Sequence, residues 1–167
     1  MAPRLSDASS KTLTTLMFIW LAMVGALFVY GIVCYMLLTQ GSIKVMYSPD
    51  ILRTTAFMGV NLLLWLYIAA ALVLAGGFMH FKSSYAKAVA KMMEQTFESA
   101  DDEFNAFKTQ YTTLMFIHLA IFESIAIVGV VVFLTTGDFT TLINLITLAL
   151  VGFVLVMPSK AKFEYRR

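Results

Sequence analysis

The sequence predicts an all-α, polytopic membrane protein with four transmembrane helices arranged as two duplicated hairpins. Three observations lead to this fold class. Apolar residues make up 60% of the 167-residue chain and charged residues only 13%, against roughly half and a quarter in soluble domains. Four segments are long and apolar enough to cross a bilayer, which takes about 20 residues. A nine-residue motif near the N-terminus recurs in the second half of the chain.

The four spans are expected at 13–38, 54–78, 109–134 and 139–157, within one domain that covers 1–167. Each should be helical, because a lone strand in lipid would leave its backbone polar groups unpaired. The first span is longer than the apolar core of a signal peptide, about 7–15 residues, so we expect it to be retained. It contains Cys34, the single cysteine. One cysteine excludes an intrachain disulfide and gives no Cys/His zinc pattern.

The connections between the spans carry turn and helix signals. Ser-Pro-Asp at 48–50 supplies an N-cap, a proline at the first helical position and an acidic first turn for the second span. Thr-Gly-Asp at 136–138 predicts a tight turn, so that the third and fourth helices form an antiparallel hairpin. Residues 82–108 contain no proline or glycine, which predicts that helices two and three extend beyond the membrane.

The basic residues predict the orientation. If the N-terminus lies inside, ten of the twelve Lys and Arg residues are cytoplasmic and only Lys44 and Arg53 lie outside. Positive charge is typically concentrated on the cytoplasmic side. We therefore expect both termini and residues 82–108 in the cytoplasm, and a bacterial inner membrane as the location.

An internal repeat links the first and third spans. Residues 14–22, TTLMFIWLA, recur as residues 112–120, TTLMFIHLA, with one difference. Both helices run in the same direction, so the repeat predicts two duplicated hairpins related in parallel. Three aligned pairs are Trp20 with His118, Gly25 with Glu123, and Gly31 with Gly129.

Glu123 is the residue that most strongly indicates chemistry. It lies near the middle of the third span, where an ionisable side chain costs several kcal/mol and indicates a functional site. A carboxyl group there can take up and release a proton or a cation. The alternative is that protonated Glu123 only joins helices by a hydrogen bond. By depth, the expected partners are Asn61 and Asn144 first, followed by Ser124, Tyr30 and Tyr67.

Two histidines complete the candidate set. His118 is a candidate for a proton path, but a buried histidine with satisfied hydrogen bonds is the favoured interpretation. It lies five residues before Glu123 and is turned about 140° from it, which argues against direct pairing. A haem held by His80 and His118 is disfavoured because His80 falls at the end of the second span and His118 well inside the third. We expect no cofactor and no metal.

Residues 122–134, FESIAIVGVVVFL, resemble the ion-carrying helix of rotary ATPase proteolipids, the c or K subunits. In that family an acid in mid-membrane is followed by a small residue, an Ala-Ile pair and a Gly-Val/Leu-Val run. The resemblance implies that Glu123 is the ion-carrying carboxylate. It is confined to these residues, and unlike the doubled members of the family this chain has a further span after the acid.

Two functions of different classes follow. The first is a proton- or cation-handling membrane subunit, acting through Glu123 as a homo-oligomer or in a larger complex. The second is a structural or assembly protein that recruits a cytoplasmic protein through 82–108, favoured by Phe104 and Phe107. An enzyme is not expected, because no catalytic triad, phosphate loop or HExxH motif is present. The net charge of +2 and the lack of basic runs interleaved with aromatics argue against nucleic acid.

Overall fold

The computed structural model describes residues 7–163, and four long helices account for most of them: α1 (Asp7–Thr39), α3 (Leu62–Glu94), α4 (Ala100–Thr136) and α5 (Phe139–Val156). The shorter elements are α2 (Ile51–Thr54), β1 (Ala56–Phe57), β2 (Val60–Asn61) and α6 (Lys160–Phe163). Within the described residues, four helices are long and apolar enough to cross a membrane. The prediction of four helices of spanning length is confirmed.

Polar side chains cap three of the long helices. Asn61, Ser99 and Asp138 each accept a hydrogen bond from the backbone N–H three residues ahead, at the start of α3, α4 and α5. These bonds satisfy N–H groups that have no partner inside the helix. Gly137, with a φ of 75°, ends α4 in the left-handed conformation. The tight turn predicted at 136–138 is therefore present.

The first part of the second span differs from the prediction. A helix was expected from residue 54, but β1 and β2 form a small antiparallel hairpin there and α3 begins only at Leu62. Met58 and Gly59 connect the strands, both with positive φ, as in a type I′ turn. The indole of Trp65 donates to the Phe57 carbonyl at 3.1 Å and holds the hairpin against α3. Apolar content is the same for a strand and a helix, so it does not locate this boundary.

Helix α5 lies at the centre of the bundle and packs against α1, α3 and α4. Its core face is fully buried, including Leu145, Ala149 and Phe153. Helix α1 contacts α4 and α5 and has little contact with α3. The hairpin of α4 and α5 is therefore a packed pair, whereas α1 and α3 lie apart.

Helix lengths define a common level in the bundle. The 18 residues of α5 rise about 27 Å at 1.5 Å per residue. His80 lies the same distance from the start of α3 at Leu62, and His118 lies the same distance from the end of α4 at Thr136. We call the plane of His80 and His118 the histidine level. Helices α3 and α4 both continue past it, by about 20 Å or more.

Candidate functional site: polar groups within the helix bundle

Glu123 lies on α4 between the histidine level and the turn to α5. The hydroxyl of Tyr30, on α1, donates a hydrogen bond to Glu123 Oε1 at 2.7 Å. Both side chains are half-buried. The bond joins α1 to α4 through side chains that stand among apolar residues. The Glu123 side chain is therefore only partly enclosed by the bundle.

Of the expected partners of Glu123, the structure brings Tyr30 to it. Asn61 lies before the first turn of α3, where its side chain accepts from the Leu64 backbone at 2.8 Å. It is far from mid-span because the helix starts later than expected. The hydroxyl of Ser124 donates to a carbonyl of its own helix at 2.6 Å. Depth alone placed these residues near the carboxylate, and helix start and helix face decide otherwise.

Asn144 and Tyr67 pair with each other. The Asn144 amide donates to the Tyr67 hydroxyl at 2.8 Å and joins α5 to α3. The pair borders a shallow cavity of about 430 Å³, which Thr147 also lines. These two expected partners thus form a second polar contact, separate from Glu123.

The two histidines are in direct contact. His80 Nδ1 lies 3.0 Å from His118 Nε2, and the rings stack with centroids 5.2 Å apart. His118 Nδ1 lies 2.7 Å from the Leu114 carbonyl oxygen, and Ser84 Oγ lies 3.5 Å from His80 Nε2. His118 is fully buried, whereas His80 is exposed. The pair therefore connects the interior of the bundle with its surface.

The hydrogen positions of the pair follow from the Leu114 carbonyl. A carbonyl oxygen only accepts, so His118 Nδ1 carries a hydrogen. When His118 is neutral, its Nε2 accepts from His80 Nδ1–H. When His118 takes a second proton, its Nε2 donates to His80 Nδ1, and the hydrogen of His80 is then on Nε2, facing Ser84. One proton can pass between the buried and the exposed ring while both rings stay in place.

The expectation that His80 and His118 lie at different depths is wrong. Because α3 begins at Leu62 and not at 54, His80 lies deeper in its span than the sequence suggested. A metal ion bridging two imidazoles would separate the facing nitrogens by about 4 Å, at roughly 2 Å per bond. The two nitrogens that face each other leave no such gap. Within residues 7–163 no three His, Cys, Asp or Glu side chains are grouped to hold a metal ion.

Aromatic rings enclose His118. Phe81 contacts it edge-on, with ring centroids 5.2 Å apart, and Phe122 lies 6.5 Å away. Phe122 is fully buried, and its ring is held between the backbones of Gly77 on α3 and Gly152 on α5. This packing fixes the level at which α3, α4 and α5 meet.

The segment after α5 covers the same region. The Lys162 ammonium donates to the Met157 carbonyl at 2.7 Å and lies 5.1 Å from the centre of the Phe81 ring. The Tyr85 hydroxyl donates to the Lys162 carbonyl at 2.8 Å. Burial lowers the pKa of Lys162 below its usual value. These contacts attach the chain after α5 to α3 beside the histidine pair.

A buried ion pair at the other end of the bundle was missed in the sequence. Arg53 Nη2 lies 3.1 Å from Asp138 Oδ2, and Asp138 is only 5% exposed. The same carboxylate accepts from the Thr141 hydroxyl at 2.7 Å. The only signal was the presence of both charges near predicted span ends. The pair ties the connection before α3 to the turn between α4 and α5.

Comparison with protein-family models, with curated proteins and with solved structures finds no match to this chain.

Proposed function

We propose that the chain is an integral membrane subunit that takes up and releases a proton or a cation at Glu123. The observation that carries this proposal is the half-buried Glu123 carboxyl in an apolar span, hydrogen-bonded to Tyr30 at 2.7 Å. An ionisable group in such a position is expensive and indicates function by default. By the resemblance of residues 122–134 to the proteolipid helix, Glu123 is the ion-carrying group.

Tyr30 suits a carboxyl group that changes its charge. A phenol hydroxyl can donate to a carboxylate and can accept from a carboxylic acid. The contact between α1 and α4 therefore persists in both protonation states. The part of Glu123 at the bundle surface gives access for a proton or a small cation, for example from an adjoining subunit. The apolar faces of α1 and α3, which are mostly uncovered, suit a homo-oligomer or a larger membrane complex.

His118 provides a proton path from one side. The histidine level lies five residues, or about 7.5 Å, from Glu123 along α4. Proton transfer from His80, which is exposed, to His118, which is buried, carries a proton from the surface into the bundle. Ser84 and His80 form the outer part of this path.

We also propose that both termini and the extension at 82–108 lie in the cytoplasm of a bacterial cell, because this orientation puts ten of the twelve basic residues on the cytoplasmic side. Single cysteines test this orientation in intact cells. Cys34 is only 3% exposed and gives little background. A membrane-impermeant maleimide should label Ser42→Cys at once and Thr96→Cys only after permeabilisation. The opposite pattern would reverse the orientation.

Flux through liposomes tests the function. Purified wild type should carry protons or Na⁺, and Glu123→Gln should not. Glu98→Gln, which changes an exposed carboxylate on the extension, is the matched control and should carry ions as wild type does. Absence of flux with all three proteins, each folded by circular dichroism, would refute ion handling.

Carbodiimide labelling is a second readout that does not require transport. Dicyclohexylcarbodiimide partitions into lipid and modifies a protonated carboxyl group there. Mass spectrometry should find one adduct on wild type and on Glu98→Gln and none on Glu123→Gln. Labelling that persists in Glu123→Gln would locate the reactive acid elsewhere.

A scaffold that recruits a cytoplasmic protein through 82–108 is the alternative. The length of α3 and α4 beyond the histidine level favours it. Phe107 does not contribute a docking surface, since it is 1% exposed and stacks on Tyr111. Phe104 is half-buried. A folded protein without flux or labelling at Glu123 would favour this function.

A further inference from the structure

A groove separates α3 and α4 just beyond the histidine level. Its volume is about 430 Å³. On α3 the lining residues include Ser84, Lys87 and Lys91, which are spaced three and four apart and so share one helical face. On α4 the facing wall includes Thr109 and Thr113. The lining includes neither Glu123 nor Tyr30, whereas Ser84 and Leu114 also contact the histidine pair.

The groove is positively charged. Lys87 and Lys91 are exposed and make no ion pair among the residues that the structure describes. None of the lining side chains is acidic. The threonine hydroxyls on the other wall add hydrogen-bonding groups, and Thr109 already donates to its own helix at 2.9 Å. Two ammonium groups on one wall of a cleft are a binding site for a phosphate group.

The two ends of the groove differ in polarity. Leu114 and Ile117 line the end beside the histidine level, where α3 changes from apolar residues to Lys82, Ser83 and Ser84. Lysines on α3 lean back towards this level, because side chains in a helix tilt towards its N-terminus. Basic residues next to a membrane-spanning segment attract anionic lipid headgroups. A ligand with its phosphate at the lysines has its apolar part along Ile117.

We propose that this groove binds an anionic phospholipid. Lys87 and Lys91 contact the headgroup phosphate, and Leu114 and Ile117 contact the first part of an acyl chain. The ligand is a lipid and not free phosphate, because the groove has an apolar end, lined by Leu114 and Ile117, beside its charged end. A bound lipid also covers Ser84, next to His80, on the surface side of the histidine pair.

Native mass spectrometry of the full chain in detergent micelles tests the proposal with added phosphatidylglycerol. Lys87→Gln/Lys91→Gln should weaken binding about twenty-fivefold, because each lysine contributes roughly fivefold. The matched control, Lys82→Gln/Lys108→Gln, removes the same charge outside the groove lining and should bind as wild type does. Lys87→Arg/Lys91→Arg should retain binding. Circular dichroism checks that all variants are folded, as expected for exposed positions.

Three outcomes would overturn the proposal. Equal loss in the control pair would mean that total charge, and not the groove, attracts the lipid. Equal binding of phosphatidylcholine and phosphatidylglycerol would mean that the headgroup charge is not recognised. Competition by inorganic phosphate at the concentration of the lipid would identify free phosphate as the ligand. The result is independent of Glu123, so this proposal and ion handling can fail separately.

Discussion

Replacement of Gly152 by alanine perturbs the contact at which α3, α4 and α5 meet. A Cβ atom at Gly152 would lie 2.4 Å from Cγ of Phe122, whereas ordinary contact begins at 3.4 Å, so the ring must retreat by about 1 Å. The ring is also close to α3, since a Cβ at Gly77 would lie 2.7 Å from Cε1 of the same ring, and this limits the space into which it can move. Overpacking of a buried site costs about 1–3 kcal/mol, and this site belongs at the upper end.

Helix propensity offsets part of the cost. Alanine is more favourable than glycine in a helix by roughly 0.5–1 kcal/mol, which leaves a net loss of about 2 kcal/mol for Gly152→Ala. Gly76→Ala is the matched control, because a Cβ at Gly76 meets nothing within 4 Å. It should be neutral or stabilising by up to about 1 kcal/mol.

Denaturant unfolding in detergent measures both variants. Trp20 reports the region directly, because its indole donates to the carbonyl of Phe153, the residue after Gly152, at 2.9 Å. Tryptophan fluorescence should show an earlier transition for Gly152→Ala and not for Gly76→Ala. Phe122→Leu in the Gly152→Ala background should recover stability, since the smaller side chain can move. Equal stability of Gly152→Ala and Gly76→Ala would refute the close contact.

Two further predictions concern charged groups. Arg53→Gln should destabilise the fold by about 2 kcal/mol, less than the roughly 3–5 kcal/mol for a broken buried ion pair, because Asp138 keeps its donors from Thr141 and Arg53 is itself 41% exposed. Asp50→Asn removes the exposed partner of Arg53 and should cost under about 1 kcal/mol. Thermal unfolding compares the two variants, and equal losses would contradict the buried pair. Burial lowers the pKa of Lys162 in the folded chain, so the unfolded chain binds this proton more tightly. The free energy of unfolding of wild type should therefore rise relative to that of Lys162→Met as the pH increases from the lowered pKa towards 10.5. Parallel dependence of the two free energies on pH would contradict this.

The long helices and the α4–α5 turn were predictable because each depends on local sequence. Span length follows from apolar runs, and the Gly137 turn follows from a residue that tolerates positive φ. The hairpin of β1 and β2 was not predictable, because an apolar segment before a helix looks like part of it. That one boundary shifted His80 along its span and concealed its contact with His118.

Depth along the helices was not enough to predict which side chains contact Glu123. Asn144 and Tyr30 were both placed near mid-membrane, yet Asn144 bonds to Tyr67 and only Tyr30 reaches the carboxylate. Which side chains meet depends on how each helix is rotated about its axis, and this rotation is set by packing against α5. The pairing of Arg53 with Asp138 depends likewise on how a connection folds back over a turn.

The repeat leads to a last prediction, because its two aligned glycines both face α5. Gly129 on α4 lies so close that a Cβ would stand 3.1 Å from the Leu145 Cβ and 3.4 Å from the Leu142 carbonyl oxygen. A Cβ at Gly31 on α1 would meet only the ends of two isoleucine side chains, at 3.8 Å. The aligned positions therefore differ in how closely their helices approach α5.

Gly129→Ala should lose about 1–2 kcal/mol, since atoms near the backbone cannot move aside. Gly31→Ala should be neutral or gain up to about 1 kcal/mol, from helix propensity and added contact. The same fluorescence-detected unfolding compares them, and equal destabilisation would show that both helices pack equally closely. A difference would mean that the close approach belongs to the copy that carries Glu123, where α4 packs tightly on α5, whereas α1, which supplies Tyr30, packs on α5 less closely.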